Sequence, residues 1–418
     1  MEAMRKTVLA GVCLKDKNNE FESAMNECEA LCEACGMQVT ARITQKSDSA
    51  DTRTAFRKGK LDELHETVHA TDSDLVVFLN PLSVQSAQRI AELCECEVID
   101  RTALILDIFS HRARSRQAKL QTEMARLQYD LPKALAMADD HERSRGGSVT
   151  NRGAGEMRSA VISKKYQARI QDLKKELEKI GKQRSQDERR RAKTMLSRVA
   201  LVGYTNAGKS SLMNALMTQS GAKGTHVDAE DLLFKTLDTS VRTIEKDRKK
   251  FLLYDTVGFV SNLPHMLVEA FRSTLDAARD ADLLIEVIDG SDENAPEKTR
   301  ITEKTLKEIG AGDIPVLRVY SKCDLMENRS EKEGQAVSCV TGEGLNALLD
   351  EIMKRLYPNE TEMICCLPYD KMAMLETYKQ MLQIEILSNE EDGMKIEIRG
   401  PRRYTQAFDE YRIIEGEI

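Results

Sequence analysis

Residues 203–210 read Gly-Tyr-Thr-Asn-Ala-Gly-Lys-Ser, which fits the spacing G-x-x-x-x-G-K-[ST]. An apolar run, Val199-Ala-Leu-Val, precedes the loop, and a helix-forming run, Ser211-Leu-Met-Asn-Ala-Leu, follows it. In that strand–loop–helix context the spacing carries chemistry. Glycines let backbone N–H groups turn inward around a polyphosphate, and the helix N-terminus adds positive potential. Lys209 is placed to reach the outer phosphates, and the Ser210 hydroxyl to ligate Mg²⁺. The whole loop, Gly203, Tyr204, Thr205, Asn206, Ala207, Gly208, Lys209, Ser210 and Ser211, is expected to line a nucleotide site.

Three further stretches extend the pattern. Asp255-Thr256-Val257-Gly258 follows the apolar run Phe251-Leu-Leu-Tyr. Asp255 can hold Mg²⁺ through water, and the Gly258 N–H can bind a terminal phosphate and report its loss. Ser321-Lys322-Cys323-Asp324 follows Val316-Leu-Arg-Val-Tyr. The Asp324 carboxylate can accept from guanine N1–H and the 2-amino group, a donor pattern adenine lacks. The Lys322 stem can lie on the base. Guanine sites usually carry Asn where Ser321 stands, so one polar contact is expected to be shortened or lost, and guanine preference softened. Ser338, Cys339 and Val340 would border the base, with the Cys339 N–H available to guanine O6. The reaction implied is Mg²⁺-assisted GTP hydrolysis, which needs positioning and charge neutralisation more than covalent chemistry. Phe259, next to Gly258, cannot orient a water, and no arginine finger is assigned. Slow basal turnover, accelerated by a partner, is therefore expected. Asn206 is a candidate seat for K⁺ where such an arginine would lie.

These loops need a sheet to hold them. Strands are predicted at Val199–Val202, Phe251–Tyr254, Leu283–Ile288 and Val316–Tyr320, with helical stretches between, as in a doubly wound α/β P-loop domain. The first hundred residues also alternate strand and helix signals, predicting a small parallel α/β domain. From Thr102 to Ala138 the pattern turns helical. A Gly-rich break containing Gly146, Gly147, Gly153 and Gly155 follows, then a second helix from about Arg158 to Thr194. Together they predict an antiparallel helical hairpin, with Arg184–Arg191 as a polar linker. A small βαββ-like unit closes the chain after Pro358. The expected division is 1–196 (α/β to 101, hairpin 102–196), 197–357 for the nucleotide-binding domain, and 358–418.

The bulk properties narrow the setting. Net charge is −7, which argues against general nucleic-acid binding. Yet Arg158–Arg198 holds 14 Lys/Arg against 5 Asp/Glu, a local +9 on an otherwise acidic chain. No run of eighteen apolar residues occurs, so no membrane span is expected, and the cytoplasm is the default. Ten cysteines in 418 residues are too sparse for a disulfide scaffold. Cys28, Cys32 and Cys35 imitate iron–sulfur spacing but also fall on one helix face, where thiols behave as small hydrophobes. His65-Glu66-Thr67-Val68-His69 spells a zinc-protease pattern, yet it lacks a third ligand downstream and fits a helix edge.

Motif order and wording resemble the HflX GTPases. The likeness rests on Val202-Gly-Tyr-Thr-Asn-Ala-Gly-Lys-Ser, Leu233-Phe-Lys-Thr-Leu-Asp, Asp255-Thr-Val-Gly-Phe-Val and Leu263-Pro-His-Met-Leu-Val-Glu-Ala-Phe-Arg-Ser-Thr-Leu. Val98-Ile-Asp-Arg-Thr-Ala-Leu-Ile-Leu-Asp-Ile-Phe, Ala125-Arg-Leu-Gln-Tyr-Asp-Leu-Pro and Leu367-Pro-Tyr-Asp extend it to most of the chain. The resemblance implies that Phe234, Lys235, Thr236, Leu237 and Asp238 form switch I, with Thr236 closing on Mg²⁺ alongside Ser210 and Asp255. Lys209, Thr236 and Gly258 would be the catalytic set. It further implies binding to the large ribosomal subunit and its RNA through the hairpin, and splitting or rescue of stalled ribosomes; the chain itself is expected to be a monomer. After the loop, family members usually read Arg-Gly-Pro-Gly-Glu-Thr-Gln-Leu-Glu. Here the wording is Arg152-Gly-Ala-Gly-Glu-Met-Arg-Ser-Ala, which marks a divergent member. Two other functions stay open at this point. One is an NTP-driven RNA or ribosome remodelling enzyme with relaxed guanine specificity. The other is a GTP-loaded binding switch with a non-ribosomal partner.

Overall fold

A computed structural model of the chain describes residues 4–14, 18–47, 54–143, 152–192, 196–221, 240–247, 249–261, 272–326, 334–358, 360–379 and 381–413. Two compact units emerge. The first takes the described residues up to Arg189 together with a later segment that starts at Val257. The second takes the remainder from Arg190.

In the first unit, β1 (Arg5–Leu14), α1 (Asn18–Ala34), β2 (Met37–Ser47), α2 (Lys58–Thr71), β3 (Leu75–Phe78), α3 (Val84–Cys94) and β4 (Glu97–Asp100) alternate as expected. The strands form a parallel sheet in the order β2-β1-β3-β4. Side chains of a strand alternate between faces. Val8, Ala10, Val12, Val76 and Phe78 accordingly join one core with Leu61, Leu64 and Val68 of α2 and Ile90 and Cys94 of α3. Leu9, Cys13, Leu75 and Val77 join the other, with Phe21, Met25, Cys28 and Cys32 of α1. Gly11 in β1 lets α1 pack close: a Cβ there would meet Met25 Sδ at 2.9 Å and the Phe21 ring at 3.1 Å, and those side chains would have to shift. Helix starts follow local chemistry: the Ser83 hydroxyl accepts from Ser86 N, and the Asp100 carboxylate from Ala103 N.

The helical region departs from expectation at three points. One predicted helix is two, α4 (Arg101–Arg112) and α5 (Arg116–Arg143). They break at Ala113–Ser115, where the Ser115 hydroxyl accepts from Ala118 N and starts the second. Next, α6 runs from Arg152 to Ala192, so Gly153 and Gly155 lie in its first turns, where neighbouring helix formers outweigh them. Gly146 and Gly147 lie outside the described residues. Last, Arg184–Arg191 continues α6 instead of forming a linker. The hairpin itself is antiparallel: Arg116 pairs with Glu176 at 2.9 Å and Arg169 with Glu123 at 2.7 Å. Cys28 and Cys32 are fully buried core thiols. His65 and His69 sit edge-to-face on α2, their ring centroids 4.4 Å apart. Among the described residues, no three His, Cys, Asp or Glu side chains are placed to hold a metal.

In the second unit β5 (Ser197–Val202), β6 (Ser240–Lys246), β7 (Lys249–Asp255), β8 (Leu283–Asp289), β9 (Val316–Ser321) and β10 (Gln335–Ala336) form a sheet of order β10-β9-β8-β5-β7-β6. All pairs are parallel except β6 against β7. The C-terminal strands β11 (Glu360–Leu367), β12 (Gln383–Asn389) and β13 (Met394–Pro401) make an antiparallel sheet of order β11-β13-β12. Its inner residues Met363, Cys365, Ile396 and Ile398 share one core with Leu349, Ile352 and Leu356 of the nucleotide-binding fold. The architecture is an α/β P-loop fold with additional α/β domains at both ends.

Candidate functional site

The loop from β5 to α7 (Lys209–Gln219) is shaped by residues that have no alternative. Gly203 has φ +143, and a Cβ on it would strike Val287 O at 2.3 Å, so the loop can lie against β8 only with glycine there. Gly208, at φ +88, caps α7 in the left-handed region. Tyr204, Thr205 and Ala207 are buried and Asn206 is exposed, while Ser210 and Ser211 are half-buried at the helix start.

Lys209 is buried. Its Nζ donates to Gly203 O at 3.1 Å and Tyr204 O at 2.6 Å, across the mouth of the loop. Burial pushes its ammonium down to about 8, against a weaker upward pull from the Asp255 carboxylate. The Ser210 hydroxyl donates to Asp255 Oδ2 at 2.7 Å, and Thr256 Oγ1 to Leu201 O at 2.6 Å. The structure therefore brings Lys209, Ser210 and Asp255 together at one helix N-terminus. Such an arrangement can cradle an anion and offer two hard oxygens to a small divalent cation.

The lysine gives a pH prediction. A neutral Lys209 cannot pair with phosphate, so nucleotide binding should take up a proton above pH 8. GTP affinity should fall as pH rises past about 8, approaching tenfold per pH unit for a single coupled proton. Titration calorimetry in buffers of different ionisation enthalpy measures that uptake; no proton exchange near pH 9 would refute it. The sign for stability is opposite. The folded value lies below the usual 10.5, so the nucleotide-free protein should gain stability as pH rises from about 8 towards 10.5.

At the base end, Ser321 lies buried between the phosphate loop and β8. Its hydroxyl donates to Ala207 O of the phosphate loop at 2.7 Å and to Ile288 O at 3.1 Å. Its Cβ and Oγ lie at contact distance, 3.6 Å, from where a Gly208 Cβ would be. The shorter side chain thus keeps a tie between the base loop and the phosphate loop. Lys322 has φ 55, and its Nζ lies 2.7 Å from Asp289 Oδ2. The other Asp289 oxygen accepts from Ser291 N (3.0 Å) and Ser291 Oγ (2.6 Å). Lys322 and Ser291 hold the Asp289 carboxyl below the usual range against its burial. Sequence reading did not single out Asp289; an acid at the end of a mostly apolar strand was the available signal. Asp324 is exposed, and Cys323 is buried with its N–H on Val337 O. The Ser338 hydroxyl accepts from the Val340 and Thr341 amides, which orders the neighbouring turn. Burial pushes the half-buried Cys339 thiol up to about 11. Val340 is exposed.

Beyond Asp255 and Thr256 the chain enters the first unit. Val257 and Val260 are buried among Leu104, Phe109 and other residues of that core, and Gly258 is half-buried. Ser261 is held by a buried ion pair. Arg101 Nη2 reaches Glu27 Oε2 at 3.1 Å and donates to Ser261 Oγ at 3.2 Å, and that hydroxyl also donates to Glu27. Sequence reading missed this trio. Phe234, Lys235, Thr236, Leu237 and Asp238, assigned to switch I, lie outside the described residues.

Comparison with known proteins covers the same ground. Four family models match in succession. They are described as GTP-binding GTPase N-terminal (residues 22–110), GTP-binding GTPase Middle Region (112–191), 50S ribosome-binding GTPase (198–322) and HflX C-terminal domain (324–410). The GTPase HflX of Caldanaerobacter subterraneus subsp. tengcongensis is 36% identical, over 90% of this chain and 87% of its own. The GTPase HflX of Escherichia coli (strain K12) is 36% identical over 90% and 89%. A solved GTP-binding protein from Sulfolobus solfataricus, in complex with GDP, aligns with 84% of this chain and 98% of its own, at 25% identity and TM-score 0.46.

Proposed function

The chain belongs to the HflX family of GTPases, and from that premise we propose that it spends GTP on the large ribosomal subunit, splitting or rescuing stalled ribosomes. GTP hydrolysis is the family's chemistry. The observation that carries the assignment of residues is the meeting of Lys209, Ser210 and Asp255 at the start of α7.

In this reading Lys209 leaves the Gly203 and Tyr204 carbonyls and takes the β- and γ-phosphates. The loop amides from Asn206 to Ser211 hold the remaining oxygens. Ser210 and Asp255 fit Mg²⁺, because they present hard oxygens 2.7 Å apart beside the phosphate loop. Bound there, the ion would neutralise charge developing on the phosphates. Thr236 would complete that set, and the Gly258 N–H would meet the γ-phosphate. Asp324 reads guanine N1–H and N2, Lys322 lies along the base with its ammonium held by Asp289, and Cys339 N–H faces O6. The Ser321 bonds, which tie the base loop to the phosphate loop, support guanine selectivity over a relaxed NTP specificity. K⁺ beside Asn206 is a further proposal: turnover in KCl should exceed that in NaCl, and equal rates would dismiss it.

For the partner, we place RNA contact on the helical hairpin and its joining loop, in a monomer acting in the cytoplasm with domain boundaries near 196 and 357. The support is the +9 carried by Arg158–Arg198. Among the described residues no helix is long and apolar enough to cross a membrane. Ion pairs with phosphate make binding salt-dependent, and each one removed lowers the log–log slope by about 0.7–0.9. Deleting Asp139–Gly155 should therefore weaken sedimentation of the GTP-loaded protein with purified large subunits and flatten the salt slope. Undiminished binding with the same slope would move the RNA-binding surface elsewhere; no binding by the wild type at low salt would favour the non-ribosomal switch.

A further inference from the structure

Helix α3 ends at Cys94 and β4 begins at Glu97, so only Glu95 and Cys96 connect them. Glu95 takes the left-handed conformation, φ 52 and ψ 33, the mirror image of helical backbone. A residue so turned brings the Cα atoms on either side of it to about 5.4 Å, by the dimensions of a helix. That lies well inside the span a disulfide bridges, roughly 4.4–6.8 Å. An extended Glu95 would hold them at about 6.4–6.8 Å, near the limit. The turn is fixed from the far side, where Glu97 N donates to Asp74 O at 3.2 Å. Across it the Cys94 thiol donates a hydrogen bond to the Cys96 sulfur. None of the nucleotide or ribosome contacts proposed above uses either cysteine.

The pair is asymmetric. Cys94 is buried in the core with Leu61, Leu64 and Ile90, whereas Cys96 packs at the edge of that core and is half-buried. The hydrogen bond from Cys94 holds the Cys96 thiol below its usual range, against burial and the Asp74 carboxylate. The Arg5 guanidinium, paired with Glu97 at 2.6 Å, pulls the same way. Cys94, as the donor, is pushed up. A half-exposed thiolate beside a buried thiol is the arrangement of an attacking sulfur and a resolving one. Other thiols lack part of it. Cys28 and Cys32 share a hydrogen bond but are both fully buried. Burial pushes half-buried Cys35 up to about 12 and Cys339 to about 11. We propose that Cys94 and Cys96 are a site of reversible oxidation, where a hydroperoxide is reduced at the Cys96 sulfur and the Cys94 sulfur closes an intramolecular disulfide. The Cys96 thiolate takes the terminal hydroxyl of the peroxide; an S–O bond forms, the O–O bond breaks, and the leaving oxygen gains a proton from water. The Cys94 sulfur then attacks the sulfenic sulfur; the S–S bond forms, the S–O bond breaks, and hydroxide leaves with the Cys94 proton as water. Two electrons pass from the dithiol to the peroxide, and a thiol reductant returns them by exchange.

Hydrogen peroxide, in slight excess over the full chain, is the probe. Trypsin, cutting after Arg89 and Arg101, releases Ile90–Arg101, which holds these two cysteines and no other. After quenching with N-ethylmaleimide, the oxidised chain should yield this peptide unalkylated and lighter by two hydrogen atoms than its reduced form. Dithiothreitol should restore the reduced form. Closure should outpace oxidation of Cys35 or Cys339 by about tenfold or more. Cys94→Ala should leave Cys96 as a sulfenic acid that dimedone traps. It should also raise the pH at which iodoacetamide alkylates Cys96 at half its maximal rate, because the thiolate has lost its donor. Cys96→Ser should leave the buried Cys94 unoxidised. Unchanged GTP turnover would show that both variants fold, and the wild-type peptide decides the matter even if neither does. A wild-type peptide that keeps both thiols while Cys35 or Cys339 oxidises would overturn the proposal. So would a Cys96 that proceeds to sulfinic acid without closing, or a Cys94 that oxidises in Cys96→Ser as fast as in the wild type.

Discussion

Replacing Lys209 with alanine is expected to reduce kcat/KM for GTP by on the order of 10²–10³-fold, the loss typical when one preorganised charge donor is removed from a reacting centre. Lys209 is the buried cation at the start of α7, and nothing else described there carries its charge. The fold should survive. Lys209 is held below its ordinary pKa by burial, which means its charge costs stability in the empty site. Nucleotide-free Lys209→Ala should therefore melt at or above the wild-type temperature while hydrolysis collapses. Ser210→Ala makes a sharper companion. Removing the Ser210 hydroxyl, a proposed Mg²⁺ ligand, should weaken GTP binding in Mg²⁺ but barely alter it in EDTA. Normal turnover by Lys209→Ala would sink the phosphate-loop assignment; equal losses with and without Mg²⁺ for Ser210→Ala would sink its role as a metal ligand.

Asp324→Asn is expected to invert base selectivity. In the proposed reading the carboxylate would accept from two guanine donors, and the amide would confront them with an N–H₂. A mismatched polar pair costs about 1–3 kcal/mol, so GTP affinity should fall by roughly 5- to 150-fold. Xanthine offers an acceptor where guanine has its 2-amino group, so XTP should gain. Competition among GTP, XTP and ATP measures both changes. Wild-type protein in which ATP competes as well as GTP would revive the remodelling-enzyme reading. The Ser321 bonds to Ala207 O and Ile288 O argue for the opposite result, because they keep the base loop tied to the phosphate loop.

The parallel strands and the phosphate loop were legible because their signals are local. A buried parallel strand reads as an apolar run, and the glycines of the loop announce positive φ. Strand β6 was missed for the converse reason. Its residues Ser-Val-Arg-Thr-Ile-Glu-Lys are mostly polar, only Ile244 is buried, and it lies at the sheet edge where one face needs no apolar cover. Gly153 and Gly155 misled because glycine is a breaker only on average. Where the Ser321 hydroxyl goes could not be read from the motif, because a motif records a residue type and not the atoms it touches. The serine hydroxyl donates to Ala207 O and Ile288 O, contacts that the residue type alone did not announce. Asp289 became visible only through its partner, 33 residues later in Lys322. Glu27, Arg101 and Ser261 were beyond any local reading, since 234 residues separate the first from the last.

That separation has a consequence for how the chain is made. The core containing Leu104 and Phe109 is completed by Val257 and Val260, and the Glu27–Arg101 pair by Ser261. At roughly 5–20 residues per second of synthesis, about 10–50 s pass between the appearance of Glu27 and that of Ser261. Throughout that interval the first unit lacks two apolar side chains, each worth about 1.5–3 kcal/mol when fully buried, and keeps a desolvated ion pair without its hydroxyl. The first unit, though mostly synthesised ahead of the second, is thus among the last parts to reach its final stability, and a nascent chain stopped before Val257 carries an unfinished core.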